Sequence, residues 1–179
     1  TDLEETLQLH EAALEEQKAL LAKAKAYQAV KTNIDDLETQ IGNLGGVLTP
    51  ALKDGVPDET TLYDETKEAA INTANTAYTA LGTNQEFVDE TKKETLAAHV
   101  TALEAQKTLL TTYNEGIVQA LVEKITDWDI TNLGTGSLAD FVTGVTDTNA
   151  EVAALSAENK AAVLAATTTK LANYVAAVE

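Results

Sequence analysis

The chain has 179 residues, with 12 Lys plus Arg against 29 Asp plus Glu and a formal net charge of −17. Every basic residue is Lys, so a polyanion would be repelled and meet no arginine fork; nucleic acid and anionic membrane surfaces are excluded as expected partners. The absence of Cys excludes disulfides, thiolate zinc sites and cysteine nucleophiles.

Aromatic residues make up 4% of the chain. The core must therefore come from Leu, Ile, Val and Ala, which suits helices better than sheets. Met is missing even from position 1, which we read as a processed or excised chain. The lack of Cys, Met and Arg beside abundant Thr fits exported proteins, so an extracellular or cell-surface location is expected. No apolar run reaches the roughly eighteen residues of a bilayer span, and no membrane insertion is expected.

Thr1-x-x-Glu4 reads as a capping box opening a long helix. Its apolar stripe begins Leu3, Leu7, Leu14 and Leu21. It then moves to Tyr27, Val30, Ile34, Leu37, Ile41 and Leu44, in alternating steps of three and four. The helix should run to about Ile41 and stop at Gly42 or Gly45-Gly46. A short connection follows, with a helical turn from Thr49-Pro50 that Asp54-Gly55 ends. Pro57 is expected to open the next helix, which carries Tyr63, Ala70, Ala74, Ala77 or Tyr78, and Leu81 on one side and ends at Gly82.

Thr83-x-x-Glu86 should cap a segment leading into a second long helix. Its buried face is Leu96, Val100, Leu103, Leu110, Ile117, Leu121, Ile125 and Trp128, and Asn132-Leu133-Gly134 stops it. Ser137-x-x-Asp140 then opens a short turn. Thr148-x-x-Glu151 caps a last helix striped by Leu155, Leu164, Leu171, Val175 and Val178.

The chain repeats itself. Residues Glu5 to Leu21 return at Glu94 to Leu110 in the frame ETL-xx-H-xx-ALE-x-QK-x-LL, displaced by 94 − 5 = 89 positions. Asn43-Leu44-Gly45 and Asn132-Leu133-Gly134 share that displacement. Asp64 and Ala69-Ala70-Ile71 match Ser156 and Ala161-Ala162-Val163 at 92, which places a three-residue insertion between Leu133 and Thr148. The expected fold is all-α, an elongated bundle of two tandem repeats, residues 1–89 and 90–179. Each repeat is a long helix, a short turn and a second, Ala-rich helix.

The polar positions that the repeat retains are His10 and Gln17, matched by His99 and Gln106. A helical metal site wants a second ligand at i+3 or i+4 of each histidine. Ala13 and Leu14, or Ala102 and Leu103, stand there, so a packing and hydrogen-bonding role in a polar interface is expected. Thr6 and Thr95, four residues earlier, are candidate partners. Asp127-x-Asp129 and Asp147-x-Asn149-x-Glu151 resemble calcium loops faintly, but Val152 replaces the glycine that an EF-hand turn requires. No nucleophile elbow, zinc-protease motif or phosphate-cradling glycine loop occurs. The chain is accordingly read as no enzyme, with no catalytic residues, no metal ligands and no cofactor. The expected function is a stalk, assembly subunit or adhesin-type module that meets a protein or cell-surface partner or its own copies. The alternative is a carrier of a small apolar ligand, with Tyr27, Tyr78, Tyr113 and Tyr174 at the mouth of its cavity.

Overall fold

The computed structural model describes residues 2–131 and 136–178. Thr1 of the first capping box and the Asn132-Leu133-Gly134 stop lie outside the described residues. The fold is all-α apart from one hairpin. Helix α1 spans Asp2–Asn43, strands β1 and β2 span Leu52–Lys53 and Val56–Pro57, and α2 spans Glu65–Ala80. A 3-10 helix, Gly82–Phe87, leads to α3 at Glu90–Thr126, followed by α4 at Leu138–Ala154, α5 at Ala157–Thr167 and α6 at Lys170–Val178. The chain divides into two compact units, Thr1–Gln106 and Lys107–Glu179. The division falls inside α3, whereas the sequence blocks meet near its start.

In unit 1 the second half of α1, then α2, then the first half of α3 form an up-down-up set. Lys67 of α2 approaches Gly45, while Phe87, past the far end of α2, meets Tyr27 of α1 at 5.5 Å, so these two helices run antiparallel. Ile34, Leu37, Ile41 and Leu44 form one wall of the core; Ile71 and Ala74 of α2 and Leu96 and Leu103 of α3 close it. Unit 2 repeats the up-down-up order with different pieces. Lys124 pairs with Glu151 of α4 at 3.1 Å and Trp128 meets Phe141 at 6.5 Å, so α4 runs against α3. Asn114 bonds Asn159 and the Thr126 carbonyl accepts from Lys170, so α5 and α6 progress in the same sense as α3. Leu121, Ile125, Val152, Val163 and Leu171 make its core.

Several sequence expectations are corrected. Thr49 to Gly55 holds no helical turn: Asp54 and Gly55 both take positive φ, 53° and 80°, and form the two-residue bend of the hairpin. That is the left-handed pair such a bend requires, and Asp-Gly supplies it cheaply. Pro57 therefore sits in β2, and α2 begins later, where the Asp64 side chain accepts from Lys67 N–H. Ile71, rather than Ala70, fills the centre of α2. Gly42 does not stop α1, which ends two residues before the left-handed Gly45. The segment at Thr83 is a 3-10 helix with no side-chain cap.

Ser137 and Asp140 do form a reciprocal capping box, but it opens the 17-residue α4 in place of a short turn. Thr148 is no cap. It lies buried within α4, where its hydroxyl donates to the Gly144 carbonyl at 2.7 Å. Ser156 caps the next helix, and a break at Thr168 splits the expected last helix into α5 and α6. The described residues after α3 thus carry three helices in place of a short turn and one helix. Val163 is buried there, while Leu164 faces outward. Ser156 and Asp64 are both helix caps, as their displacement of 92 suggests, yet α5 runs in the opposite sense to α2 relative to its long helix.

The largest departure concerns the first stripe. Leu3, Leu7, Leu14 and Leu21 are all at least half exposed, Leu3 at 86%. Residues 2–26 of α1 are exposed throughout. Asp2, Glu4 and Glu5 in the first turn complement the helix dipole, and a Glu15–Lys18 pair braces the surface.

Two stability outcomes follow, both readable by urea unfolding followed by circular dichroism. Ile34→Ala and Ile125→Ala each lose about 2–5 kcal/mol, the cost of a cavity in a close-packed core, while Leu7→Ala changes stability by less than about 0.5 kcal/mol. Thr168 holds φ 50° and ψ −116°, a region that β-branched residues resist. Thr168→Gly should therefore stabilise the fold by about 1 kcal/mol.

Candidate functional site: a buried polar clamp

A buried polar network in unit 1 is built around Tyr63. This residue immediately precedes the Asp64 cap, so its backbone is not yet helical and its peptide groups have no helical partner. Gln106 of α3 supplies both partners. Its Oε1 accepts from Tyr63 N–H at 2.5 Å, and its Nε2 donates to the Tyr63 carbonyl at 2.9 Å. The amide mimics one rung of a β-ladder.

Two helical turns earlier, His99 reaches the other end of Tyr63. The tyrosine hydroxyl lies 3.0 Å from His99 Nδ1 and also accepts from Leu48 N–H at 3.0 Å. His99 Nε2 lies 3.3 Å from the Gly45 carbonyl. A carbonyl can only accept, which makes Nε2 the protonated nitrogen and Nδ1 the acceptor of the tyrosine proton. The chain of donors is closed: Leu48 N–H to Tyr63 O–H to His99, and His99 N–H to Gly45 C=O. Gly45 presents that carbonyl from its left-handed position at the end of α1, with φ 74°.

The three side chains of this set are buried, while Gly45 is exposed and Leu48 half-buried. His99 is 0% exposed, Tyr63 4% and Gln106 5%. Burial pushes the His99 imidazole below its ordinary value of 6.5; the Gly45 bond opposes that shift, and the Lys67 charge reinforces it. The ring is held neutral in one tautomer with both nitrogens engaged. It presents no free nitrogen to a metal or substrate.

The four residues singled out from sequence are not brought together. His99 and Gln106 join through Tyr63, whereas His10 and Gln17 stand exposed on α1. The threonines are not their partners: Thr6 and Thr95 each donate to a carbonyl four residues back, Asp2 and Thr91. Tyr63 was not visible as a site residue. The signal it left was only its place before a helix cap, and the remaining partners at Gly45 and Leu48 are backbone atoms that side-chain patterns do not report.

Other candidate chemistry is dispersed. Asp147, Asn149 and Glu151 lie within α4, so they form no loop, and Asp129 turns back to accept from Thr131 N–H and hydroxyl. Among the described residues no three His, Asp or Glu side chains gather as a metal site. Tyr27 and Tyr78 belong to unit 1, and Tyr113 and Tyr174 to unit 2. Tyr27 meets Phe87 in unit 1, and Tyr174 meets Trp128 and Phe141, each at 5.5 Å, in unit 2. Tyr78 borders a surface groove of about 470 Å³ between α2 and α3. A second groove, about 420 Å³, lies between α3 and α5 and is edged by Glu115, Gln119, Glu158 and Asn159.

The depressed histidine gives a signed pH effect. The unfolded chain binds the His99 proton more readily than the folded one, so this contribution is full above about pH 6.5 and is lost progressively as the pH falls below that toward the lowered folded value. Urea midpoints measured from pH 7.5 to 5 should fall for the native chain. His99→Gln should remove part of that fall. At pH 7.5 Gln106→Ala costs about 2 kcal/mol or more by stranding the Tyr63 peptide, and Gln17→Ala costs less than about 0.5 kcal/mol. Comparison with known protein families, curated proteins and solved structures finds no match to this chain.

Proposed function

We propose that the chain is a non-catalytic structural or interaction module of a secreted or cell-surface protein, built as a tandem series of helical units. The observation that carries this reading is the use of α3. One 37-residue helix supplies the third helix of unit 1 with its first half and the first helix of unit 2 with its second. Such sharing suits chains that stack unit on unit. The buried polar side chains support the reading as well, since His99 and Gln106 are spent on joining helices to a loop and aim at no cavity.

The tandem-repeat detail belongs to the same proposal. The two units share the up-down-up order, and Ile71 of α2 and its counterpart at the displacement of 92, Val163 of α5, are both buried. The acidity, −17 over the whole chain, favours solubility at high local density and repels other acidic surfaces. A protein or cell-surface partner is the class of ligand this architecture serves.

Two measurements test it. Antibodies against the purified chain should label intact cells of its source; labelling only after permeabilisation would sink the surface assignment. Native mass spectrometry of freshly purified protein should give the bare chain mass. A co-purifying apolar molecule would instead favour a carrier held in one of the two grooves.

A further inference from the structure

The exposed first half of α1 and the packed first half of α3 carry the same face. Leu7, His10, Leu14, Gln17 and Leu21 correspond, at the displacement of 89, to Leu96, His99, Leu103, Gln106 and Leu110. On α3 the first four of these are buried and Leu110 is half-buried; on α1 all five are exposed. A solvated helix has no use for a leucine row of this length, and contiguous exposed apolar surface marks a docking face. The polar pair is the more telling observation. His99 and Gln106 are needed where they are because a glycine carbonyl and one non-helical peptide unit must be satisfied inside a core. His10 and Gln17 keep the same spacing on a surface where nothing calls for them.

We infer that the first half of α1 is the third helix of a further unit of the unit-1 kind, whose first two helices lie in another stretch of polypeptide. The inference rests on the proposed reading of the chain as a series of helical units. The partner is defined by its chemistry. It is a pair of antiparallel helices with an Ile/Leu wall like that of Ile34, Leu37 and Ile41. Their connection offers a left-handed glycine carbonyl to His10 and an extended peptide to Gln17. The chain's own cradle of this type, in unit 1, is already filled by α3. An intact second copy therefore does not provide the site.

The displacement of 89 fixes how to build the test, because Thr1 takes the place of Glu90. In a longer chain with residues 27–89 repeated directly ahead of Thr1, the added segment should close over α1. Amide exchange across residues 5–20 should then slow by at least about 100-fold, the range that separates exposed from core amides. His10→Ala should lower the melting temperature of that longer chain about as much as His99→Ala lowers that of the native chain, and should leave the native chain's own melting temperature unchanged. Fast exchange over residues 5–20 in the longer chain overturns the inference. So does a native chain that dimerises and becomes monomeric on Leu14→Asp, since the face would then serve its own copy.

A peptide of residues 2–23 gives a second measurement that does not depend on the longer chain folding. Added to the Leu96→Asp, Leu103→Asp protein, whose own third helix is dislodged, it should restore the near-ultraviolet signal of a buried Tyr63. An unchanged signal at saturating peptide counts against the assignment. None of these readouts depends on where the protein resides, so a failed surface-labelling experiment and a failed docking experiment remain distinguishable.

Discussion

Unit 1 depends on the satisfaction of one residue. Tyr63 stands where the connection from α1 turns into α2, and it brings a peptide N–H, a carbonyl and a hydroxyl into the buried interior. Left alone, each of those groups would cost about 1–3 kcal/mol, roughly what one buried leucine returns. Two side chains of α3 remove that cost, and in doing so they fix the register of three helices at once. The apolar wall of Ile34, Leu37 and Ile41 would tolerate a slide of one helix along another. The amide fork of Gln106 would not, because a shift of even one residue leaves the tyrosine peptide unpaired. Hydrophobic burial supplies the driving force, and the polar line selects a single arrangement.

Unit 2 solves the same problem with other means. Its buried hydroxyls, Thr148 and Thr167, donate back to carbonyls of their own helices, Gly144 and Val163, and so ask nothing of neighbouring elements. Its specificity comes from shape. Trp128, Phe141 and Tyr174 meet edge to face from α4, α6 and the end of α3, a geometry aromatic rings prefer over flat stacking. Most of the chain's few large rings are gathered at two such junctions, the other being Tyr27 with Phe87. Lys23 sits over the Phe87 ring and pairs with Glu86 there.

Helices were legible because their stripes are long. Alternating steps of three and four from Tyr27 to Leu44, and steps of three, four and seven from Leu96 to Ile125, keep so many aliphatic side chains on one helical face. Length also misled. Leu3 to Leu21 has the periodicity of a core helix, and nothing in the pattern itself says whether a partner is present to cover it. The hairpin at Leu52 to Pro57 is too short to show alternation, and Asp54-Gly55 signals a turn without saying which kind. Thr148 and Ser156 lie eight residues apart and are both good caps. Local chemistry does not rank them, and the choice fell to Val145 and Val152, which need a helix running through Thr148 to reach the core of unit 2. Of the clamp, His99 and Gln106 stood out because the repeat preserved their spacing. Tyr63 and the Gly45 carbonyl stayed hidden because they enter from another part of the chain.

One ladder of backbone hydrogen bonds runs the length of α3 and serves two cores. Gly116 lies within it, between Leu103 and Gln106 on one side and Leu121 on the other, with open space where a side chain would be. Glycine is the ordinary residue that favours helix least after proline, by about 1 kcal/mol against alanine. Gly116 lies ten residues past the division after Gln106, so α3 carries its weakest helix former in the stretch that serves the second core.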